Sequence, residues 1–294
     1  MSNIRDLGSK INSLKNMQKV MRAMNMIASI KLRKLYTVQE SLSLFTDSVD
    51  QICRISSRVL SSSSHPVSAG YENVSAVHIV MFTADKGLCG THNSSVQKAV
   101  TDLIEENDRA GIRSELTCIG NKGIHYANRR EYDIFQQSEI SERVFTRDQL
   151  RIFSKAVLGR FLGNHVQKVY AVGNIFYSTL RQETETRQLL PLYVPEGDQD
   201  TKGPEGDGGV IVTEPEGDMF ASAVAERYLF FKLQSVLLNS YLSEHSSRMT
   251  AMENATNNSE DLINKYISMQ NHARQAAITG ELIEIVSGKE ALKG

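Results

Sequence analysis

The prolines of this chain are Pro66, Pro191, Pro195, Pro204 and Pro215, so none precedes position 66 and none follows 215. A proline inside a helix removes a backbone donor and clashes with the preceding turn, at a cost of about 3 kcal/mol. The two terminal stretches are therefore open to very long helices. Asn3 to about Leu60 would run roughly 85 Å, and Met219 to Gly288 roughly 105 Å, at about 1.5 Å per residue.

The apolar spacing agrees. Ile4, Leu7, Ile11, Leu14, Met21, Ala28, Leu32 and Leu35 recur at intervals of three and four, with Gln18 and Asn25 as polar interruptions. That is a heptad seam. At the other end, Leu229, Leu233, Val236, Leu237, Tyr241, Met249, Met252, Leu262, Ile263, Tyr266 and Met269 form a drifting stripe, which continues through Ala273, Ala276, Ala277, Ile278, Leu282, Ile285 and Val286. Two long helices from opposite chain ends pair most simply as an antiparallel coiled coil, with the intervening chain as a separate globule.

In the middle the period changes. Val74 to Thr83 reads as a buried strand and Ser95 to Asn107 as a helix. Ser114 to Gly120 follows as a strand, then a short helix after Asn121-Lys122-Gly123. Thr146 to Gly163 reads as a helix, Gln167 to Phe176 as a strand, and Arg187 to Val194 as an edge strand, given Pro191. Strands alternating with helices indicate a parallel, doubly wound sheet. The fold expected is α/β plus a long α coiled coil: a helix over 1–60, a Rossmann-like globular domain over 70–212 with an acidic loop over 195–218, and a second helix over 216–294.

Charge narrows the function classes. Lys and Arg number 33 against 34 Asp and Glu, which removes a bulk electrostatic case for nucleic-acid binding. Three cysteines are too few for a disulfide framework and point to a reducing compartment. No stretch approaches the roughly 20 apolar residues of a membrane span, and residues 1–15 contain no apolar core of a secretory signal. Locally the balance is uneven. Residues 1–35 carry Arg5, Lys10, Lys15, Lys19, Arg22, Lys31, Arg33 and Lys34 against Asp6 alone. A solvated helix face is the usual explanation, and a more pointed one is a basic shaft that meets acidic partners, lipid head groups or both. Residues 195–218 hold three Pro-Glu-Gly-Asp copies, with eight acidic residues against Lys202, and read as a solvated acidic loop. An antiparallel pairing would let this loop attract the Lys31–Lys34 end.

Catalytic signatures are weak. The turn Asp85-Lys86-Gly87-Leu88-Cys89-Gly90 has neither dinucleotide nor P-loop spacing. Cys89 and His92 lack a second ligand pair, so Cys89 reads as a small buried residue. The seven histidines are dispersed, and no nucleophile–base or paired-carboxylate cluster emerges. The globule reads as a structural module, with no cofactor or metal.

Four motifs carry a family resemblance over nearly the whole chain, in order. Residues 4–34 (IRDLGSKINSLKNMQKVMRAMNMIASIKLRK), 83–93 (TADKGLCGTHN), 120–123 (GNKG), and 243–258 with 273–292 (SEHSSRMTAMENATNN; ARQAAITGELIEIVSGKEAL) resemble the gamma subunit of rotary ATP synthases of the bacterial type. The resemblance implies a non-catalytic central rotor shaft standing inside a ring of alternating alpha and beta subunits. Its foot sits with epsilon on the membrane c ring, on the cytoplasmic side of the inner (plasma) membrane and peripheral to it. It implies beta-subunit contacts at Arg274 and Gln275 and, on the first helix, at Met24, Lys19 and Arg22. An apical bearing would be formed by Ile278, Leu282, Ile283, Ile285 and Val286, and c-ring or foot contacts by Lys31, Arg33, Lys34, Glu214 and Pro215. Three positions depart from the family pattern: Asn25 stands where a charged residue is common, Thr91 where a second glycine is, and Gly173 where a tyrosine is. The residues alone, without the resemblance, favour a static coiled-coil scaffold or tether.

Overall fold

The computed structural model describes residues 2–60, 65–138, 147–192, 214 and 217–291. In chain order the elements are α1 (Ser2–Leu60), α2 (Pro66–Ala69), β1 (Ala76–Phe82), α3 (His92–Arg109), β2 (Arg113–Ile119), α4 (Asn121–Arg129), β3 (Ile134–Ser138), α5 (Arg147–Leu162), β4 (Lys168–Phe176), β5 (Gln182–Leu190) and α6 (Asp218–Ala291). They divide into two compact units: Met1–Ile30 with Arg248–Gly294, and Lys31–Ser247.

In the first unit α1 and α6 lie antiparallel. Gln18 Nε2 donates to Thr256 O at 3.5 Å, Asn25 Nδ2 to Met249 O at 3.2 Å, and Gln270 Nε2 to Ile4 O at 3.3 Å. Each pair of residue numbers sums to 274, so all three bonds report one register. Ile11 and Ile263 share that sum, and both are buried. The two polar positions that break the apolar seam of α1 are thus the amides that reach across to the other helix. On α6 the stripe expected from apolar residues is corrected. The inward positions are Met252, Thr256, Ser259, Ile263, Tyr266, Gln270, Ala273 and Ala277, spaced three and four apart, while Leu262 and Met269 are exposed. Ser259 and Thr256 return their hydroxyl protons to the carbonyls of Ala255 and Met252, at 2.7 Å each, which satisfies them at the seam.

In the second unit a five-stranded sheet runs β3-β2-β1-β4-β5. The β3–β2, β2–β1 and β1–β4 pairs are parallel, and β5 is antiparallel to β4. The sequence expectation needs three corrections. The edge strand lies at Gln182–Leu190 rather than 187–194, it is antiparallel, and β3 adds a strand at the opposite edge. β5 (QETETRQLL) escapes a hydropathy reading because its exposed face is charged, with Arg181–Glu183 and Arg187–Glu185 pairs along the edge. Charges on an edge also discourage pairing with another chain.

β1 has no polar face: all seven of its residues are buried, as a central parallel strand covered on both sides requires. Val80, Phe82, Ile119, Val169 and Ala171 pack with α5 and α6 through Phe153, Val157, Phe161, Leu229 and Leu233. On the other face Val77, Ile79, Met81, Leu116 and Cys118 pack with α3 and α4 through Val96, Val100, Ile104 and Ala127. α1 joins this unit through Leu32, Leu35 and Tyr36, which gather with Phe176, Leu238 and Leu242.

The three departures have physical accounts here. Thr91 sits in right-handed helical geometry (φ −87°, ψ 0°) at the start of α3, and the left-handed residues of the turn are Leu88 (φ 63°) and Gly90 (φ 56°), so position 91 has no need of glycine. A Cβ on Gly173 would stand 3.0 Å from Val236 Cγ1 and 3.4 Å from Phe82 Cβ, so α6 packs directly on the strand there. Asn25 carries the amide that reaches Met249 O across the seam.

Candidate functional site

The glycine-containing turn after β1 lies where doubly wound folds bind phosphate, at a helix N-terminus. In this chain that turn is tied to the neighbouring turn after β2. The Asp85 carboxylate accepts the first amide of α4, Asn121 N, at 2.9 Å. Asn93 Oδ1 accepts Ala84 N at 2.8 Å, and Asn93 Nδ2 donates to the Cys89 sulfur at 3.1 Å. Thr83 Oγ1 accepts Gly123 N at 2.7 Å. The GNKG motif gains a steric reason. A Cβ on Gly120, at φ +99°, would stand 2.1 Å from Thr83 O, and one on Gly123 2.7 Å from Thr83 Oγ1. The two glycine motifs therefore lock two adjacent turns together, with Asp85 of the first turn on the first amide of α4 after the second. Cys89 is buried, as its size and setting led one to expect, and His92 Nδ1 lies 2.8 Å from Asn174 Nδ2.

A second polar cluster lies inside the sheet unit. Glu115 on β2 is 2% exposed. Its Oε1 accepts from His78 Nδ1 at 2.7 Å and from Arg160 Nε at 3.1 Å, and Arg160 also donates to its Oε2. His78 Nε2 faces Thr117 Oγ1 at 2.9 Å, and the Arg160 guanidinium lies over the Phe135 ring. Burial by itself raises the carboxyl pKa. The His78 and Arg160 hydrogen bonds and charges outweigh burial and bring it down to about 2. The carboxylate's hydrogen bonds run to β1 and α5, so this is a tie between α5 and the β1–β2 pair inside the sheet.

The remaining candidate surface is on the paired helices. Arg274 and Gln275 are exposed on α6. Met24 is half-buried on α1, and Lys19 and Arg22 are exposed beside it, with Arg22 3.9 Å from Glu260 on α6. The structure does not bring these two groups together. By the register of the seam Met24 lies opposite residue 250, which is 24 residues, or about 36 Å, from Arg274 along α6. They are two stations on one shaft. Beyond Gln270, which bonds Ile4, α6 runs on past the start of α1, and Ile278, Leu282, Ile283, Ile285 and Val286 are each about half exposed or more.

Sequence reading missed a second apolar stripe on α1. Met17, Val20 and Ile27 are each more than half exposed, and with Met24 they follow a 17, 20, 24, 27 spacing. The signal was present as a second three–four repeat, offset from the buried one. Lys31, Arg33 and Lys34 belong to the other unit, with Arg33 and Lys34 exposed. Glu214 is exposed, while Pro215 and most of the acidic segment, with its expected attraction to Lys31–Lys34, lie outside the described residues.

Residues 3–292 match the model of the ATP synthase family. The chain is 32% identical over 299 residues to the ATP synthase gamma chain of Nitratiruptor sp., covering all of both chains. It is 33% identical to that of Sulfurihydrogenibium sp., covering 98% of each. Its fold is similar to a chain of the Euglena gracilis mitochondrial ATP synthase OSCP/F1/c-ring structure (TM-score 0.65, 15% identity, 99% of this chain and 95% of that one). A chain of the Tetrahymena thermophila mitochondrial ATP synthase central stalk and c-ring structure is similar too (TM-score 0.60, 23% identity, 80% and 99%). With relatives matched end to end and a family model spanning almost every residue, the chain belongs to the ATP synthase gamma chain family.

Proposed function

We propose that this chain is the central rotor shaft of an ATP synthase, turning with an ion-driven membrane c ring and passing that turn to nucleotide sites on a surrounding ring of alpha and beta subunits. The reading is carried by α6 running past the start of α1 with an apolar, exposed end. Apolar contact is non-directional, so such an end can turn in a sleeve without a preferred angle. Directional contacts that form and break once per step fall to Arg274 and Gln275, each charge-assisted bond contributing about 1.5–3 kcal/mol. The stripe Met17, Val20, Met24 and Ile27, flanked by Lys19 and Arg22, is the matching contact face lower on the shaft.

Lys31, Arg33 and Lys34 with Glu214 and Pro215 form the foot contacts with the c ring, and epsilon docks on the globule. The chain serves as helix 1–60, globule 70–212 and helix 216–294. It carries no active site of its own, a reading supported by the turn 85–90, which has neither dinucleotide nor P-loop spacing. It is peripheral to the membrane-bound complex, on the cytoplasmic side of the inner (plasma) membrane. Among the described residues no helix is long and apolar enough to cross a membrane. End-to-end similarity to gamma chains supports a rotor over a static tether.

Reconstitution tests this. The chain mixed with alpha and beta subunits should yield a three-alpha, three-beta, one-gamma complex with ATP turnover. A version ending before Ala273 should assemble but turn over more slowly. If no complex forms and turnover ignores the chain, the tether reading replaces this one.

A further inference from the structure

Most packing between α6 and the sheet is apolar, and apolar contact alone resists rolling of a helix about its own axis only weakly. At the end of β4 the character of the contact changes. Phe176 N donates to Asn239 Oδ1 at 3.3 Å, and Ser243 Oγ to Asn174 O at 3.4 Å. Further along, Ser246 Oγ donates to Thr179 O at 3.0 Å, Gln182 Nε2 to Ser246 Oγ at 3.1 Å, and Ser247 Oγ to Gln182 Oε1 at 2.7 Å. Positions 239, 243, 246 and 247 share one helix face, and their partners lie at the end of β4 and in the β4–β5 hairpin.

Gln182 is the hub. Its amide nitrogen also donates to Thr179 O at 2.8 Å and Ser178 O at 3.2 Å, so carbonyl acceptors on one side and a hydroxyl donor on the other fix which way the amide points. The hairpin is braced in turn, with Tyr177 Oη donating to Glu185 at 2.8 Å and Arg181 stacked over the Tyr177 ring. Ser246 is fully buried, yet its hydroxyl is spent on the hairpin rather than on its own helix. Alanine would pack there as well and would favour the helix more.

We infer that the β4–β5 hairpin is a torsion clamp on α6: Gln182, Ser246 and Ser247 are positioning residues that fix the angle of the helix against the sheet, so that rotation of the globule is delivered to the shaft without slack. Hydrogen bonds are directional where apolar contacts are not, so this ring of three resists roll at the last turns of α6 belonging to the sheet unit. The inference rests on the rotor reading above.

The test uses the assembled synthase in sealed vesicles. The variant S246A/S247A keeps the packing and helix propensity but removes both hydroxyls. The complex should assemble and hydrolyse ATP in detergent at the wild-type rate. Hydrogen-exchange protection of residues 177–182 should fall by about fivefold or more, the equilibrium change for losing one net hydrogen bond. Ions moved per ATP against an opposing gradient should fall measurably. Gln182→Leu, which breaks the clamp from the hairpin side, should reproduce both effects, and the two together should be no worse than either alone. Ser247→Thr, which returns the hydroxyl, should couple like wild type. Leu180→Ser, at the hairpin tip and 90% exposed, should leave the ratio unchanged.

Unchanged coupling in S246A/S247A and Gln182→Leu, or strictly additive losses, overturns the clamp. Failure of the wild-type chain to assemble or couple at all overturns the rotor reading instead.

Discussion

Removing the guanidinium of Arg160 should do more damage than any other single charge deletion in the sheet unit. Glu115 is buried at 2% exposure, and Arg160 supplies two of its hydrogen bonds. Arg160→Leu leaves the carboxylate with His78 alone nearby and the more distant Arg113 at 3.5 Å. Breaking a buried pair from one side costs about 3–5 kcal/mol. The depressed pKa gives a similar figure. A drop from 4.5 to about 2 corresponds to roughly 3 kcal/mol of favourable interaction with the ionised form.

The sign follows from the direction of the shift. The folded state holds the proton less tightly than the unfolded chain, so this stabilisation is complete above about pH 4.5 and is lost as pH falls toward 2. Urea unfolding of the sheet unit, followed by hydrogen exchange in β1 and β2, should show Arg160→Leu destabilised by about 3 kcal/mol at pH 7. The acid limb between pH 4.5 and 2 should be steeper in wild type than in Glu115→Gln. The triple variant H78L/E115L/R160L should recover most of the loss, because an apolar replacement leaves no charge to desolvate. A loss under about 1 kcal/mol for Arg160→Leu would refute the assignment of Glu115 as a buried ion held by this arginine.

Other perturbations read different parts of the molecule. Gly120→Ala puts a Cβ 2.1 Å from Thr83 O at a positive φ and should lower the melting temperature sharply, whereas Gly111→Ala, with open space around it, should pay only the φ cost. Gly173→Val should destabilise by about 1–3 kcal/mol through overpacking, and a smaller residue at Val236 should recover part of that. Asn25→Ala should cost about 1 kcal/mol in the helix pair, read as faster exchange around Met249. Cys118, whose thiol is pushed up to about 12 by burial, should stay unalkylated at pH 8 until denaturant is added.

Much of the architecture is local and therefore legible in the chain itself. Proline placement and the three–four spacing of Ile4 to Leu35 determine two long helices, because helix continuity depends on neighbouring residues and not on the fold around them. The buried strand at β1 and the helices flanking it follow from the same local logic. What the chain order could not reveal depends on distant neighbours. β5 hides behind alternating charges, since its burial comes from pairing with β4 and not from its own hydropathy. Gln18 and Asn25 read as interruptions, and only the register with Thr256 and Met249 makes them cross-links.

Met24 and Arg274 stand apart along the shaft, because the register sets Met24 opposite residue 250. Glu115 carries no local signal at all: its charge state is decided by His78, 37 residues away, and Arg160, 45 away. Sequence fixes what depends on consecutive residues, the helices, their lengths and their seams. Register, buried charge and the joint between helix and sheet are settled by tertiary packing, since each is an interaction between groups that meet only once the chain has folded.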